Sequence, residues 1–450
     1  MATDPVEQIT HIDHSNGAVH ALDGVLERFA TYPPSVAAPY LTVCLDWTPD
    51  GTAPGRVVAD QPTRSQRRTE GPADTVSNRP ARRILTDELD RLLAGYEAHT
   101  PALESLTADR ERLFSYLDDE LDASISGLFV VACSAQGIFE AVPLGYPVPT
   151  SISVGPTPNL SVLARAIEDN PTFAVLVADQ KNANLLLFSQ RAGVAEVQIE
   201  GSDYPRKQMA GGWSQRRFQA RADERVAAFA RTVAAELRTV VEDEAIDQVI
   251  LAGDEVIMSA LKPELHETVS DKVLETISLD IRASESDILA AAEPIVIEAE
   301  RRNELEAVEH LADRVGSGNR AVTGIDDVLH ALQQGAVDTL ILNDDFESAG
   351  WADFGMGVLG SGLVPSLHPT GGDPADLVPV DLDEQLIRLA IATGATVEIV
   401  RTMPMATPTL EENPTRTEAA VRLDEFGGIG ALLRFDPEST ADDPEKQETI

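Results

Sequence analysis

Apolar residues along this chain recur with two different spacings, and the spacing changes from one stretch to the next. Tyr40-Leu-Thr-Val-Cys-Leu-Asp46 reads as a strand, and Gly127 to Cys133 with Gly137 to Val142 reads as a strand pair around Ser134-Ala-Gln136. Ile84 to Ala98 and Pro101 to Asp119 carry helical spacing, and the Pro-rich run Pro143 to Pro158 marks an exit from this first region. Thr172 to Ala178, the turn Asp179-Gln-Lys-Asn182, Asn184 to Phe188 and Val194 to Ile199 form a strand meander. Gln219 to Glu242 reads as one long helix, with Val226, Phe229, Ala230, Val233, Ala234, Leu237 and Val240 on one face. Gln248 to Ala252 is a buried strand ending at Gly253. Met258 to Leu261 and Ser270 to Thr276 read as short helical pieces, and Glu285 to His310 as a helix leading out.

The last third alternates. Ala321 to Gln334 is a helix closed by Gly335, and Ala336 to Leu342 a strand. Asp381 to Thr393 is a helix closed by Gly394, Ala395 to Val400 a strand, and Gly427 to Phe435 the last strand. Helix and strand in alternation predict a small α/β sandwich with a largely parallel sheet. The stretch between the strand at Ala336 and the helix at Asp381 reads as a long loop, with Gly360-Ser-Gly362 and Gly371-Gly372 marking flexibility. The expected fold class is α/β (α+β) and multidomain. Three domains are expected: 1–168 with a loop over 51–83, a central α/β domain over 169–302, and a C-terminal α/β sandwich over 303–436. Residues 437–450 are acidic and poor in apolar residues, the composition of a disordered tail.

Composition sharpens this outline. At 43% hydrophobic residues, with no stretch near 18 uninterrupted apolar ones, the chain reads as folded and soluble without a membrane span. Met1 to Asn16 carries Asp4, Glu7 and Asp13 and no apolar core, so it does not read as a secretory signal, and the cytoplasm is the expected compartment. The two cysteines, Cys44 and Cys133, each sit inside a strand pattern and read as buried thiols. The eight histidines show no ligand spacing, and no phosphate-loop motif is present, so neither metal nor nucleotide cofactor is implied. Acids number 75 against 35 Lys+Arg, for a net charge of −40. Lysine is confined to Lys181, Lys207, Lys262, Lys272 and Lys446. An evenly acidic, lysine-poor surface suits a host that accumulates salt, a halophile: screening mutes self-repulsion there, and hydrated carboxylates keep the chain soluble.

Against that background the segment Tyr204 to Arg221 stands apart. Arg206 and Lys207 precede Gly211 and Gly212, and Trp213, Ser214 and Gln215 lead into Arg216, Arg217 and Arg221, with no acid among them. A Gly-Gly pair lets backbone bend and approach a ligand closely. Flanking cations suit a phosphate backbone. The segment therefore reads as a basic loop that carries a glutamine into an RNA-lined site. The plain alternative is an Arg-rich surface loop before a helix. A second basic region, 51–83, holds Arg56, Arg64, Arg67, Arg68, Arg79, Arg82 and Arg83. Arg64, Arg67, Arg68, Arg82 and Arg83 are its candidate RNA contacts.

Three places resemble one family. The meander, basic Gly-Gly loop and long helix over Phe173 to Val241 look like the central domain of the archaeo-eukaryotic class-1 release factor superfamily, which includes the Pelota-type rescue factors. Gly335-Ala-Val-Asp-Thr-Leu-Ile-Leu342 is similar to a signature of its C-terminal domain. Gly394 to Val400, leading to Phe426 to Phe435, is similar to that domain's end. The likeness spans Pro171 to Asp436, and the first 168 residues do not resemble the stop-codon-reading domain. Release factors present Gly-Gly-Gln. Here Trp213 takes the third position and glutamine follows at Gln215, so Gly212-Trp-Ser-Gln215 looks like the Gly-x-x-Gln loop of the Vms-like branch, which hydrolyses peptidyl-tRNA.

The resemblance implies a partner set. It comprises the ribosome, with its large-subunit peptidyl transferase centre and rRNA, peptidyl-tRNA, and the translational GTPase with which members often work; no membrane and no DNA are implied. It also implies entry into the A site and release of nascent chains from stalled ribosomes, with Gln215, Gly211 and Gly212 at the reaction and Arg206, Lys207, Trp213, Arg216, Arg217 and Arg221 on RNA. A glutamine both donates and accepts, so it can orient water or hold a developing oxyanion without changing protonation. Each assignment has a plainer counterpart. Gln215 could be a solvent-facing helix-start residue, Trp213 a staple onto the following helix, and the arginines partners of Asp223 and Glu224. An alternative function is non-catalytic occupation of the A site, as in Balon-type hibernation factors. Stop-codon-dependent termination fits least.

Overall fold

The computed structural model describes residues 22–48, 80–121, 125–189, 193–200, 215–244, 246–403 and 415–435; for 23, 80, 189, 193–200 and 215–223 it describes the backbone alone. The chain is a mixed α/β, multidomain protein, with four sheets among the described residues.

The first region comprises α1 (Asp23–Ala30), β1 (Tyr40–Asp46), α2 (Pro80–Leu93), α3 (Pro101–Asp119), β2 (Gly127–Cys133), β3 (Ile138–Leu144), β4 (Ser151–Gly155) and α4 (Ser161–Glu168). Its sheet is antiparallel in the order β3-β2-β1-β4. Period-two alternation decides which side chain meets which layer. Leu41, Val43, Leu45, Leu128 and Val130 meet Leu85, Leu89, Leu106 and Leu113 of α2 and α3. Tyr40, Cys44, Phe129, Val131 and Cys133 meet Phe29 of α1 and Leu163 of α4 on the opposite face. Both cysteines are buried free thiols, as their strand patterns predict.

Two expectations fail here. The basic stretch 51–83 is not loop to its end, because α2 begins at Pro80 and Arg82 and Arg83 lie in its first turn. A proline tolerates that first position, its missing N–H being unneeded there. The Pro-rich exit at Pro143 to Pro158 contains β4, which pairs with β1 and, among the described residues, is an edge strand.

The second region comprises β5 (Phe173–Ala178), β6 (Asn182–Ser189), β7 (Gly193–Glu200), α5 (Gln215–Asp243), β8 (Gln248–Gly253), α6 (Glu255–Leu261), α7 (Glu267–Ser270), β9 (Val273–Ile277) and α8 (Glu285–Gly316). The order is β7-β6-β5-β8-β9, antiparallel through the meander and parallel from β5 to β9. Ala174, Leu176 and Ala178 face the apolar stripe of α5, and Phe173, Val175 and Val177 face α8. The expected helix at Ser270 to Thr276 is mostly strand: β-branched Val273, Thr276 and Ile277 extend the sheet beside β8, and only the turn α7 is helical. Gly253 has φ 147°, and a Cβ there would stand 1.9 Å from the Ala178 carbonyl oxygen, so the position admits glycine alone.

The third region comprises β10 (Ala321–Thr323), α9 (Ile325–Gln333), β11 (Val337–Asn343), β12 (Ala349–Asp353), β13 (Val358–Ser361), β14 (Val378–Asp381), α10 (Leu382–Ala392), β15 (Thr396–Val400), α11 (Glu418–Asp424) and β16 (Ile429–Leu433). The expected largely parallel sheet is mixed. In the order β10-β16-β11-β15, β10, β11 and β15 run in one direction, but β16 lies antiparallel between β10 and β11, so among neighbours β11 and β15 alone pair in parallel. The expected helix from Ala321 is preceded by the strand β10. The expected long loop holds a three-stranded antiparallel sheet, β13-β12-β14. Its Gly360 is required by contact, since a Cβ there would lie 2.1 Å from the Trp351 ring.

Helix α8 is the spine between the second and third regions. Its first half, Ile288, Ala292 and Val296, closes the central sheet, and its second half, Val308 and Leu311, packs on Ile341 and Val400. Ser284 and Asp287 form a capping box at its start. The first and third regions share one apolar core: Leu22, Phe29 and Leu163 are continuous with Leu382, Leu386 and Ala390 of α10.

Candidate functional site

The candidate loop leaves the central sheet at the end of β7, where Glu200 pairs with Asn182, and the chain re-enters the described residues at Gln215. Gln215 is the first residue of α5, and Arg216, Arg217 and Arg221 follow in its first two turns. Arg206, Lys207, Gly211, Gly212 and Trp213 lie outside the described residues, as do Arg64, Arg67 and Arg68. The side chains of Gln215, Arg216, Arg217 and Arg221 are likewise outside them.

What is described is the support. α5 has 29 residues and β8 six. At about 1.5 Å per helical residue and about 3.3 Å per strand residue, the helix is about twice as long as the strand it covers. Val226, Phe229, Ala230, Val233, Leu237 and Val241 anchor α5 on the sheet and on Ile257, Met258 and Leu261 of α6. Each fully buried side chain of this kind contributes about 1.5–3 kcal/mol, so the helix is held firmly along this stripe. At its far end, Lys272 Nζ donates to the Ile246 carbonyl at 2.5 Å, tying down the segment that leads into β8.

Two aspartates order the chain at this end of the central sheet. Asp179 Oδ1 accepts the N–H groups of Lys181 at 2.6 Å and Asn182 at 2.7 Å, closing the β5–β6 turn. Asp254 caps α6 through Val256 N–H at 2.8 Å and Ile257 N–H at 3.0 Å.

The second basic candidate divides. Arg82 makes a two-pronged contact with Asp118 at 2.5 and 2.9 Å, with its guanidinium 5.1 Å from the Phe114 ring centre. That geometry joins α2 to α3. Arg83 is 88% exposed, with Asp87 at a loose 3.9 Å, which leaves its charge open to solvent.

Sequence reasoning missed a charged junction where the three regions meet. Arg401, after β15, lies 2.7 Å from Asp169 after α4 and 3.5 Å from Glu304 of α8. Arg165 lies 2.7 Å from Asp344. Glu168 accepts the Ile399 N–H at 2.8 Å, and Glu300 accepts from the Gln248 side chain of β8. Burial, with Glu398 nearby, pushes the Glu168 carboxyl well above the usual range. Burial also raises Glu304 to about 7, although Arg401 pulls the other way. Burial works against the charge of Arg401 too, yet Asp169 and Glu304 outweigh it and its pKa is raised. The signal available was Glu398-Ile-Val-Arg401, two charges within a buried strand pattern.

Among the described residues no helix is long and apolar enough to cross a membrane. Residues 158–296 match the model of bacterial archaeo-eukaryotic release factor family 10, and residues 302–437 match the model of eRF1 domain 3. Among curated relatives, peptide chain release factor subunit 1 of Methanopyrus kandleri is 27% identical over 197 residues, 42% of this chain and 47% of that protein. The Pelota homologue of Pyrococcus abyssi is 25% identical over 270 residues, 58% of this chain and 64% of that protein. The matches thus span between about half and two thirds of these relatives' length. Among solved structures, Archaeoglobus fulgidus Pelota is 20% identical with a TM-score of 0.31, covering 69% of this chain and 80% of that one. The two family models fall in order on the central sheet with its long helix and on the C-terminal α/β region, and the chain belongs to the archaeo-eukaryotic release factor, Pelota-like superfamily.

Proposed function

We propose that the protein is a ribosome-associated factor that enters the A site and hydrolyses or cleaves peptidyl-tRNA, releasing nascent chains from stalled ribosomes. The observation that carries this reading is the family match over residues 158–296, which contains the Gly211-Gly212 segment and Gln215. Support also comes from the position of that segment, between the edge strand β7 and the first residue of α5. Two glycines let a chain enter a narrow site. A glutamine amide can hold a water against the ester carbonyl or donate to its developing negative charge. The rRNA around it supplies the remaining dipoles. Arg206, Lys207, Arg216, Arg217, Arg221 and, from the first region, Arg83 are the proposed phosphate contacts, with Trp213 stacking on a base. A translational GTPase is the proposed delivery partner, and the cytoplasm of a salt-accumulating, halophilic cell the proposed setting.

One feature favours a second reading. Trp213 stands where release factors carry glutamine, which suits a non-catalytic hibernation or protection factor in the same site.

The deciding experiment is release of labelled peptide from large-subunit peptidyl-tRNA complexes in concentrated KCl, with wild type and Gln215→Ala. Release lost in the variant, with ribosome binding retained, supports the hydrolase. No release by the wild type, with tight binding to empty ribosomes, moves the assignment to the hibernation reading.

A further inference from the structure

A cleft of about 330 Å³ separates the edge strand β4 from the small sheet and the start of α10. Its polar wall is made of acceptors. Gln385 is 3% exposed and donates its Nε2 to Thr157 Oγ1 at 2.9 Å, while its Oε1 is buried with no hydrogen-bond partner. Glu384 accepts from the Asn159 side chain, and Asp381 stands beside it. Among the described residues neither carboxylate, nor neighbouring Asp383, enters an ion pair with an Arg or Lys. The N-terminus of α10 eases the presence of acids in its first turn. It does not satisfy the buried Gln385 oxygen, and a buried acceptor without a donor is destabilising.

The rim is apolar and extended. Leu363 is 90% exposed and Val364 39%, both on the cleft wall. Opposite them runs Ser153-Val-Gly155 of β4, which among the described residues has a strand neighbour on one side only. An unpaired strand edge receives an extended chain by main-chain pairing.

We propose that this cleft binds an extended, basic segment of a partner protein, which seats an arginine or lysine against Glu384 and Asp381 and rests an apolar side chain on Leu363. The charge excludes nucleic acid, since carboxylates line the floor. A guanidinium matches the set well, as its several N–H groups satisfy separate acceptors at once. The occupant also compensates Glu384, which burial, with Asp381 at the end of β14 and Asp383 in the first turn of α10, raises to about 7 against the opposing donor Asn159. Binding therefore tightens as the proton leaves.

The test uses the full chain and a fluorescein-labelled peptide, Val-Arg-Leu-Arg-Val with blocked ends, beside a twin carrying neutral citrulline for arginine. Fluorescence anisotropy should show the arginine peptide binding at least about tenfold more tightly, with affinity rising between about pH 6 and about pH 8. Glu384→Gln should remove the pH dependence and weaken binding about fivefold or more, and Leu363→Ser should weaken it without altering the pH dependence. Both variants should keep the wild-type circular dichroism. Equal affinity for the two peptides would overturn the proposal. So would binding unchanged in Glu384→Gln, or displacement of the peptide by an oligouridine RNA.

Discussion

The Arg401 guanidinium lies 2.7 Å from the Asp169 carboxylate, joining a residue just after α4 to one just after β15. With Glu304 of α8 as its second partner, Arg401 binds three segments that are remote in sequence. The arrangement is charge-imbalanced, since Glu168, Glu300 and Glu398 crowd the same place.

Arg401→Met should therefore destabilise the protein strongly. Removing one partner leaves buried carboxylates without compensation, and such losses run to about 3–5 kcal/mol. A urea titration would measure it. A loss below about 1 kcal/mol would mean that the junction is solvated in practice.

The same junction should make stability depend on pH. Glu304 has a folded value raised to about 7, above the ordinary carboxylate value. A carboxyl raised on folding contributes stability that is complete below the unfolded value, and that contribution is lost as pH rises through the folded one. Wild type should accordingly lose stability between about pH 4.5 and about pH 7 relative to Glu304→Gln, by up to about 3 kcal/mol. Denaturation midpoints at several pH values would test this, and parallel curves for the two proteins would refute it.

The two described arginines of the first basic region should behave differently. Arg83→Gln should weaken ribosome binding and reduce its salt dependence by about 0.7–0.9 in the log–log slope, without changing stability. Arg82→Gln should cost about 1 kcal/mol of stability through its Asp118 fork and ring contact, and leave the salt slope unchanged. The triple change of Arg216, Arg217 and Arg221 to Gln should lower that slope by about 2–3. Filter binding across a KCl series reads all of these.

Gly253→Ala should be among the most damaging conservative changes. The added methyl meets the Ala178 carbonyl oxygen at 1.9 Å in a backbone conformation that L residues avoid. A loss above about 3 kcal/mol is expected, because neither strand can shift without breaking the β5–β8 ladder. Thermal melts would show it, and a Tm within a few degrees of wild type would disprove it.

Much of the architecture was legible in the chain because it follows from local periodicity. The apolar runs at Tyr40 to Asp46 and Phe173 to Ala178 encode strands buried on both faces, and the stripe from Val226 to Val240 encodes a helix and its buried face. The errors fall where pairing partners are distant. Val273 to Ile277 becomes a strand only because β8 offers it an edge, and β12, β13 and β14 are too short to announce themselves without one another. The basic loop was legible for a different reason: acids are so abundant that a run of cations without one is conspicuous.

By itself, then, the amino-acid order determined the long helices and the fully apolar strands, the excess of acids and the segment on which the proposed chemistry rests, since each is written in neighbouring residues. Tertiary structure alone decided that Arg82 is held by Asp118 while Arg83 is open, and that the first and third regions share one core. It also decided that Asp169, Glu304 and Arg401 converge, and that Glu384 and Asp381 line one cleft beside β4. Burial and charge balance depend on residues hundreds of positions apart, and no local pattern carries them.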